Sequence, residues 1–256
     1  GLDASQMIEA AASGSLGALV VGGVDVRDFP DPALLRRALD EVPFLVSLEV
    51  RSSEVSERAD VVLPVAPAVE KNGTYINWEG RLRPFGQARS ATSLTDRDVL
   101  VRLTEEFDDD LGVTALSDLY AEVNALMEWD GEPQEFAPVA PAAAPAPEPG
   151  HVLVASHKPM IDAGRLQDGE PFLAATALRP VAKVGVDLAR RLSLAGGEEV
   201  TVSTATGSIT LPAVVGGVSD GSVWLPECSA GSTVHQTLGA GHGSRVTLTH
   251  AAEVLR

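Results

Sequence analysis

The stretch Ala59–Gly86, ADVVLPVAPAVEKNGTYINWEGRLRPFG, decides how this chain is expected to fold. Val61, Val62 and Leu63 form a continuous apolar run closed by Pro64, which predicts a short strand covered on both faces. Asn72-Gly73 is the dipeptide that best tolerates the positive φ angles of a tight turn, so a turn is expected there. Tyr75 and Ile76 resume strand character, and Asn77-Trp78-Glu79-Gly80-Arg81 reads as an irregular polar loop. Towards the N-terminus, strand and helix signals alternate. Leu16–Val21 and Phe44–Leu48 are strand candidates. Pro32–Leu39 is a helix candidate with Asp31 as N-cap and proline at the first position, and Ser53–Arg58 predicts a short helix. Such alternation argues for a parallel sheet in an α/β domain. Towards the C-terminus, Thr95–Asp98 is a capping-box variant opening a helix over Val99–Phe107. Ser117 is placed to cap a second helix, where Leu119, Val123 and Met127 recur on one face.

Beyond these helices, Ala137–Gly150 reads APVAPAAAPAPEPG, with five prolines, no aromatic residue and no apolar period. That composition is a semi-rigid linker, and it places a boundary at about 131–150 between an α/β domain over 1–130 and a second domain over 151–256. The second domain carries short β runs separated by glycines: Val152–Ala155, Val200–Thr204, Ile209–Val215, Ser222–Leu225 and Arg245–Thr249. Val200, Val202 and Thr204 alternate with Thr201 and Ser203, the period of a half-buried strand. Thr206-Gly207 turns the chain into Ile209, and one short helix is expected over Asp187–Leu192. Many short strands with frequent glycines predict a small barrel.

Composition narrows the function. The 256 residues are 45% hydrophobic and 21% charged, as in a globular protein, and aromatics are only 4%. No run approaches the ~20 apolar residues of a membrane span, so no direct membrane insertion is expected. The opening Gly1–Ser5 has neither Met nor a basic n-region, as expected for a piece of a longer chain. The net charge is -17; residues 1–130 hold 24 acidic against 11 basic side chains. A surface this acidic repels phosphate backbones and argues against a nucleic-acid partner. The single cysteine, Cys228, cannot form an internal disulfide or hold an iron–sulfur cluster or a Cys-rich zinc site. It reads as a small packing residue in a chain from a reducing, cytoplasmic compartment. The five histidines are scattered, His235 and His242 lack ligand spacing, and no metal site and no catalytic residue is assigned.

Three linked blocks of the central stretch resemble the signature of the molybdopterin oxidoreductase superfamily. They are Ala59-Asp60-Val61-Val62-Leu63-Pro64, Glu70-Lys71-Asn72-Gly73-Thr74 and Asn77-Trp78-Glu79-Gly80-Arg81. The second domain is similar to the superfamily's C-terminal barrel, through Asp187–Leu192, Gly196–Glu199, Val200–Thr204, Gly207–Ile209 and Val223–Pro226. The resemblance implies a Rossmann-like parallel-sheet domain followed by a double-psi β-barrel of the kind that binds a molybdopterin dinucleotide.

The superfamily's dinucleotide-contact motifs are eroded here. Where the family carries a Gly-x-Asn-Pro turn, this chain reads Gly23-Val24-Asp25-Val26, and Asp25 puts a carboxylate where an anionic ligand would lie. Where the family carries Thr-Glu-Thr, this chain reads Ser53-Glu54-Val55. Gly23, Asn77, Gly80 and Arg81 remain as vestigial cofactor-binding candidates. Arg81 offers a guanidinium fork for a carboxylate or phosphate, and the alternative is that it pairs with a carboxylate of its own domain. The glycines of Gly239–Gly243 precede a strand and lack the strand–loop–helix order of a phosphate cradle, so they read as a turn. Within the superfamily the resemblance is to the branch that forms the large peripheral-arm subunit of respiratory complex I, the NADH–quinone oxidoreductase. It implies a C-terminal scaffold portion with no cofactor of its own. Iron–sulfur clusters are expected elsewhere in the parent subunit, other peripheral-arm subunits as partners, and a location on the inner, cytoplasmic face of the cell membrane. Two alternatives stay open: the cofactor-binding half of a true molybdopterin enzyme such as a formate dehydrogenase, holding molybdopterin guanine dinucleotide, and a binding module without a redox role.

Overall fold

The computed structural model describes residues 1–107, 111–113, 115–127, 131–132 and 150–250; apart from residues 131, 132 and 150, the expected linker lies outside them. The helices are α1 (Ala4–Ala12), α2 (Pro32–Glu41), α3 (Asp96–Glu105), α4 (Leu116–Met127), α5 (Pro171–Ala174) and α6 (Val186–Arg191). The first strands are β1 (Leu19–Gly22), β2 (Leu45–Glu49), β3 (Val61–Pro64), β4 (Gly73–Ile76) and β5 (Leu82–Phe85). The later ones are β6 (Val152–His157), β7 (Ala182–Val184), β8 (Glu199–Ser203), β9 (Ser208–Val215), β10 (Ser222–Pro226), β11 (Cys228–Ser229), β12 (Ser232–Thr233) and β13 (Arg245–His250).

Two compact units are formed. In one, made of Ala18–Gly23 and the described residues from 44 to 132, β1, β2 and β3 build a parallel sheet in that order. Leu48 of the central strand packs with Val65 and with Val99 of α3. The expectation that Val61–Leu63 is covered on both faces is corrected. β3 is an edge strand, and Val61 and Val62 are 37% and 43% exposed. Thr95 caps α3 by accepting the Asp98 amide (3.1 Å), and the helix begins at Asp96, three residues ahead of the expected start. α4 begins at Leu116, so Ser117 lies inside its first turn, and Asp118 instead accepts the Ala115 amide (3.0 Å). Ser53–Arg58 forms turns and not a helix: Ser53 and Ser56 exchange backbone-to-hydroxyl hydrogen bonds, the Glu57 amide reaches the Ser53 carbonyl (3.0 Å), and the Arg58 amide closes a tighter turn on the Val55 carbonyl (3.1 Å).

The tight turn is also displaced. Gly73 opens β4 instead of turning the chain, and the β4–β5 hairpin reverses over Asn77–Gly80, where Gly80 takes φ +76. The reason is β5, which the sequence reading left out. Gly73 pairs with Phe85, and the ring lies over the glycine.

The other unit joins Gly1–Gly17 and Val24–Pro43 to residues 150–250. α1, absent from the expectations, opens with a capping box between Asp3 and Gln6 and packs on α2. α2 starts as expected, with Asp31 accepting the Leu34 amide (2.8 Å). Six strands close into a barrel in the order β10-β6-β13-β8-β9-β7. Two of its pairings, β6–β10 and β7–β9, are parallel in an otherwise antiparallel barrel, and this is the double-psi barrel. Alternation fills it: Val200 and Val202 of β8, Ile209, Leu211 and Ala213 of β9, and Val223 and Leu225 of β10 are all buried. Gly207 lets the 234–238 helical turn cross at close range, for a Cβ there would sit 2.4 Å from the Thr237 carbonyl oxygen.

Candidate functional site

The signature residues can be followed one by one. Asp60 binds both backbone groups of Leu45 in β2: its carboxylate accepts the Leu45 amide (2.7 Å) and its own amide donates to the Leu45 carbonyl (2.9 Å). This holds β3 in register beside β2. Glu70 accepts the Thr92 amide and hydroxyl (3.1 and 3.2 Å) through one oxygen. Lys71 pairs with Asp96 in the first turn of α3. Asn72 accepts the Gln87 amide (2.9 Å), and the Thr74 hydroxyl meets the Tyr120 hydroxyl (3.2 Å). Each of these side chains joins segments that are distant in sequence.

Asn77, Gly80 and Arg81 sit together on the hairpin turn. Asn77 Oδ1 accepts the amides of Glu79 (3.0 Å) and Arg81 (2.9 Å), which closes the loop on itself. Arg81 Nε lies 3.4 Å from Glu79 Oε2, and its side chain is 65% exposed. Gly23 lies elsewhere, at the end of β1, with φ +62 and its amide on the Leu48 carbonyl (3.3 Å). Beside the hairpin, a cleft of about 530 Å³ lies between β4–β5 and helices α3 and α4. Gly73, Tyr75, Phe85, Leu119, Tyr120 and Val123 line it, and Tyr75 and Phe85 stack with centroids 4.9 Å apart. Its walls are mostly apolar, with the Lys71–Asp96 pair and Arg97 as charged groups. They suit an apolar group and offer no acid–base pair.

A cluster of paired charges lies in the other unit, around Asp25. Arg27 donates to Asp25 from its backbone (3.0 Å), from Nε (3.1 Å) and from Nη2 (2.7 Å), and Nη1 reaches the Ala163 carbonyl (3.0 Å). Lys158 of the barrel pairs with Asp28 of the same short turn. Burial alone would raise the Asp25 pKa, but the Arg27 hydrogen bonds and the charges of Arg27 and Lys158 outweigh it and hold the carboxyl below its ordinary value. The bond to Asp25 raises the Arg27 pKa in turn. Cys228, buried nearby, is pushed up by burial and stays a thiol. The sequence reading singled out Asp25 but not Arg27 or Lys158. Arg27 had a local signal, an Asp two residues before it, whereas Lys158 is 130 residues from Asp28. Among the described residues, no group of three or more His, Cys, Asp or Glu side chains is placed to hold a metal ion.

Comparison with known proteins agrees with this architecture. The molybdopterin oxidoreductase family profile matches residues 1–95. The chain is 45% identical to the NADH-quinone oxidoreductase subunit designated G in Mycobacterium tuberculosis over 252 residues, which cover 97% of this chain and 31% of that protein. It is 42% identical over 255 residues to the same subunit of Streptomyces coelicolor, covering 97% and 30%. The chain thus spans about a third of the length of the curated relatives it matches. Among solved structures, acetylene hydratase from Pelobacter acetylenicus aligns over 92% of this chain and 41% of its own, with a TM-score of 0.54 at 17% identity, and so shares the fold. The ordered signature, the parallel sheet, the closed barrel and these matches make residues 1–95 similar to the molybdopterin oxidoreductase family, and the chain is similar along nearly its whole length to about a third of that NADH-quinone oxidoreductase subunit.

Proposed function

We propose that this chain is a scaffold portion of an NADH-quinone oxidoreductase subunit, supporting electron transfer from NADH to quinone through clusters carried elsewhere in the parent subunit. One observation carries the reading: the polar side chains of the retained signature are engaged in holding the fold. Asp60, Glu70, Lys71, Asn72, Thr74 and Asn77 each bond to backbone or side chain of their own unit. A family motif kept for cofactor chemistry would present such groups outward, converging on one ligand.

The residues do not fit a pterin dinucleotide, whose phosphates need unpaired donors and no neighbouring negative charge. Asp25 is held ionised, its side chain is 10% exposed, and Arg27 is already committed to it. We therefore assign no cofactor and no catalytic residue to this chain, and derive no step through a pterin. In this reading Gly23, Asn77, Gly80 and Arg81 are turn-forming residues, and residues 131–150 join an α/β part to the barrel. The partners are other peripheral-arm subunits of the complex, at the inner face of the membrane. Among the described residues, no helix is long and apolar enough to cross a membrane.

The test is made in the complete subunit within its assembled complex. Asn77→Ala and Arg81→Ala are expected to leave the rate of NADH-to-quinone electron transfer per assembled complex unchanged. Deleting the barrel is expected to lower the amount of assembled complex. Loss of turnover in Arg81→Ala at normal assembly contradicts the scaffold reading.

A further inference from the structure

The turn Val26–Asp28 and the barrel loop after β6 bring two cations and two carboxylates together within one unit. Arg27 is 30% exposed in its side chain and directs its Nε and Nη2 edge at Asp25, which is 10% exposed. Nη1 is tied to the Ala163 carbonyl, whose residue in turn donates its amide to the Cys228 carbonyl (2.9 Å). Lys158, 38% exposed, lies on Asp28 and close enough to Asp25 to act on its ionisation. Two cations facing one small region, one of them a guanidinium fork, are the donor set that grips a phosphate or pyrophosphate group. In this chain both are met by carboxylates from a single turn.

We propose that Asp25 and Asp28 are built-in anions that occupy a two-cation site formed by Arg27 and Lys158, closing it to phosphate-bearing ligands and latching the turn to the barrel. The latch spans 130 residues of sequence, from Asp28 to Lys158, and so fastens the N-terminal segment to the second half of the unit. Its free energy comes from the chain itself, where in a ligand-binding relative of the same fold it would come from the ligand. Asp162, Asp168 and Cys228 are the other titratable neighbours: Asp162 is engaged with the Gly164 amide (2.8 Å), the Asp168 carboxylate adds a weaker pull on Arg27, and the Cys228 thiol is neutral. None of the three supplies a further positive charge.

The prediction is that neutralising the built-in anions uncovers the site. Isothermal titration with sodium pyrophosphate at low ionic strength compares the wild-type chain with Asp25→Asn/Asp28→Asn. The wild type is expected to bind no pyrophosphate. The double variant is expected to bind it at a concentration about tenfold or more below the highest at which the wild type shows no heat, and Arg27→Gln added to it is expected to abolish the gain. Far-UV circular dichroism establishes that the variants are folded. If the double variant does not fold, the same titration is made on Asp28→Asn, whose replaced side chain is 42% exposed, with Lys158→Gln as its reversal. If that also fails to fold, the wild type decides alone: no binding supports the latch. A folded variant that binds no tighter than wild type overturns the proposal, as does pyrophosphate binding by the wild type. The proposal rests on the cofactor-free reading, yet the two fail separately. Pterin in the parent subunit overturns that reading, whereas a folded variant blind to pyrophosphate overturns the latch alone.

Discussion

Gly73, in the second block of the signature, is predicted to be required by one aromatic ring. A Cβ built at Gly73 would lie 2.5 Å from Phe85 Cζ and 2.7 Å from Cε1, well inside van der Waals contact. Its φ is not positive, so the backbone itself accepts alanine. With room for the methyl group, Gly73→Ala would stabilise by about 0.4–1 kcal/mol through the unfolded chain. There is no room. The ring is held by stacking on Tyr75 (centroids 4.9 Å apart), and moving it costs about 1–3 kcal/mol as for other overpacked sites. The balance is a destabilisation of about 1–2 kcal/mol, confined to the hairpin. Native-state hydrogen exchange at the Tyr75 and Arg83 amides, which lie opposite each other in the ladder, reads that local free energy. The decisive comparison is a double-mutant cycle. In a Phe85→Leu background the smaller side chain clears the methyl, and Gly73→Ala is expected to become neutral or stabilising, a coupling of about 1–2 kcal/mol. Additive effects of the two substitutions would refute the steric argument.

Other consequences are simpler to state. Gly207→Ala puts a methyl 2.4 Å from a backbone carbonyl oxygen, so a loss of about 3 kcal/mol is expected in urea denaturation of the barrel; Gly196→Ala, with nothing within 4 Å, is expected to be neutral to slightly stabilising. Asp25 has a depressed folded-state pKa, so its contribution is present in full above its unfolded value and is lost as pH falls through the folded one. Thermal melts over about pH 7 to 2 are therefore expected to show Asp25→Asn less stable near neutrality, with the gap to wild type closing in acid. Cys228 is 3% exposed and kept protonated by burial; alkylation by iodoacetamide is expected to be slower by about a hundredfold or more in the native chain than in the denatured one.

The parts of the fold legible in the sequence were those set by local chemistry. Asp31 and Pro32 announce α2 and Thr95 announces α3 through bonds made within a few residues, and the period-2 run through Val200 and Val202 announces β8 through its own alternation. What escaped was set by distant contacts or by length. Asn72-Gly73 has turn chemistry, but the Phe85 ring opposite makes it the start of a strand. Pro84 hid β5, since proline argues against a strand unless, as here, the strand belongs to an exposed hairpin. β7 is three residues long, below any periodicity, and is fixed by its neighbours β9 and β10. In the candidate site, the charge of Asp25 was legible, but its neutralisation was not. The Arg27 fork closes on it only in the folded turn, and Lys158 arrives from the other half of the chain.

The claim that this chain keeps a molybdopterin-enzyme scaffold without its cofactor is tested most directly by chemical analysis of the complete parent subunit purified from its native source. Molybdenum and tungsten are measured by mass spectrometry, and released pterin by fluorescence after oxidation. The account predicts none of the three above background. Stoichiometric metal with pterin would contradict it, and would return Gly23, Asn77 and Arg81 to the status of ligand-binding residues.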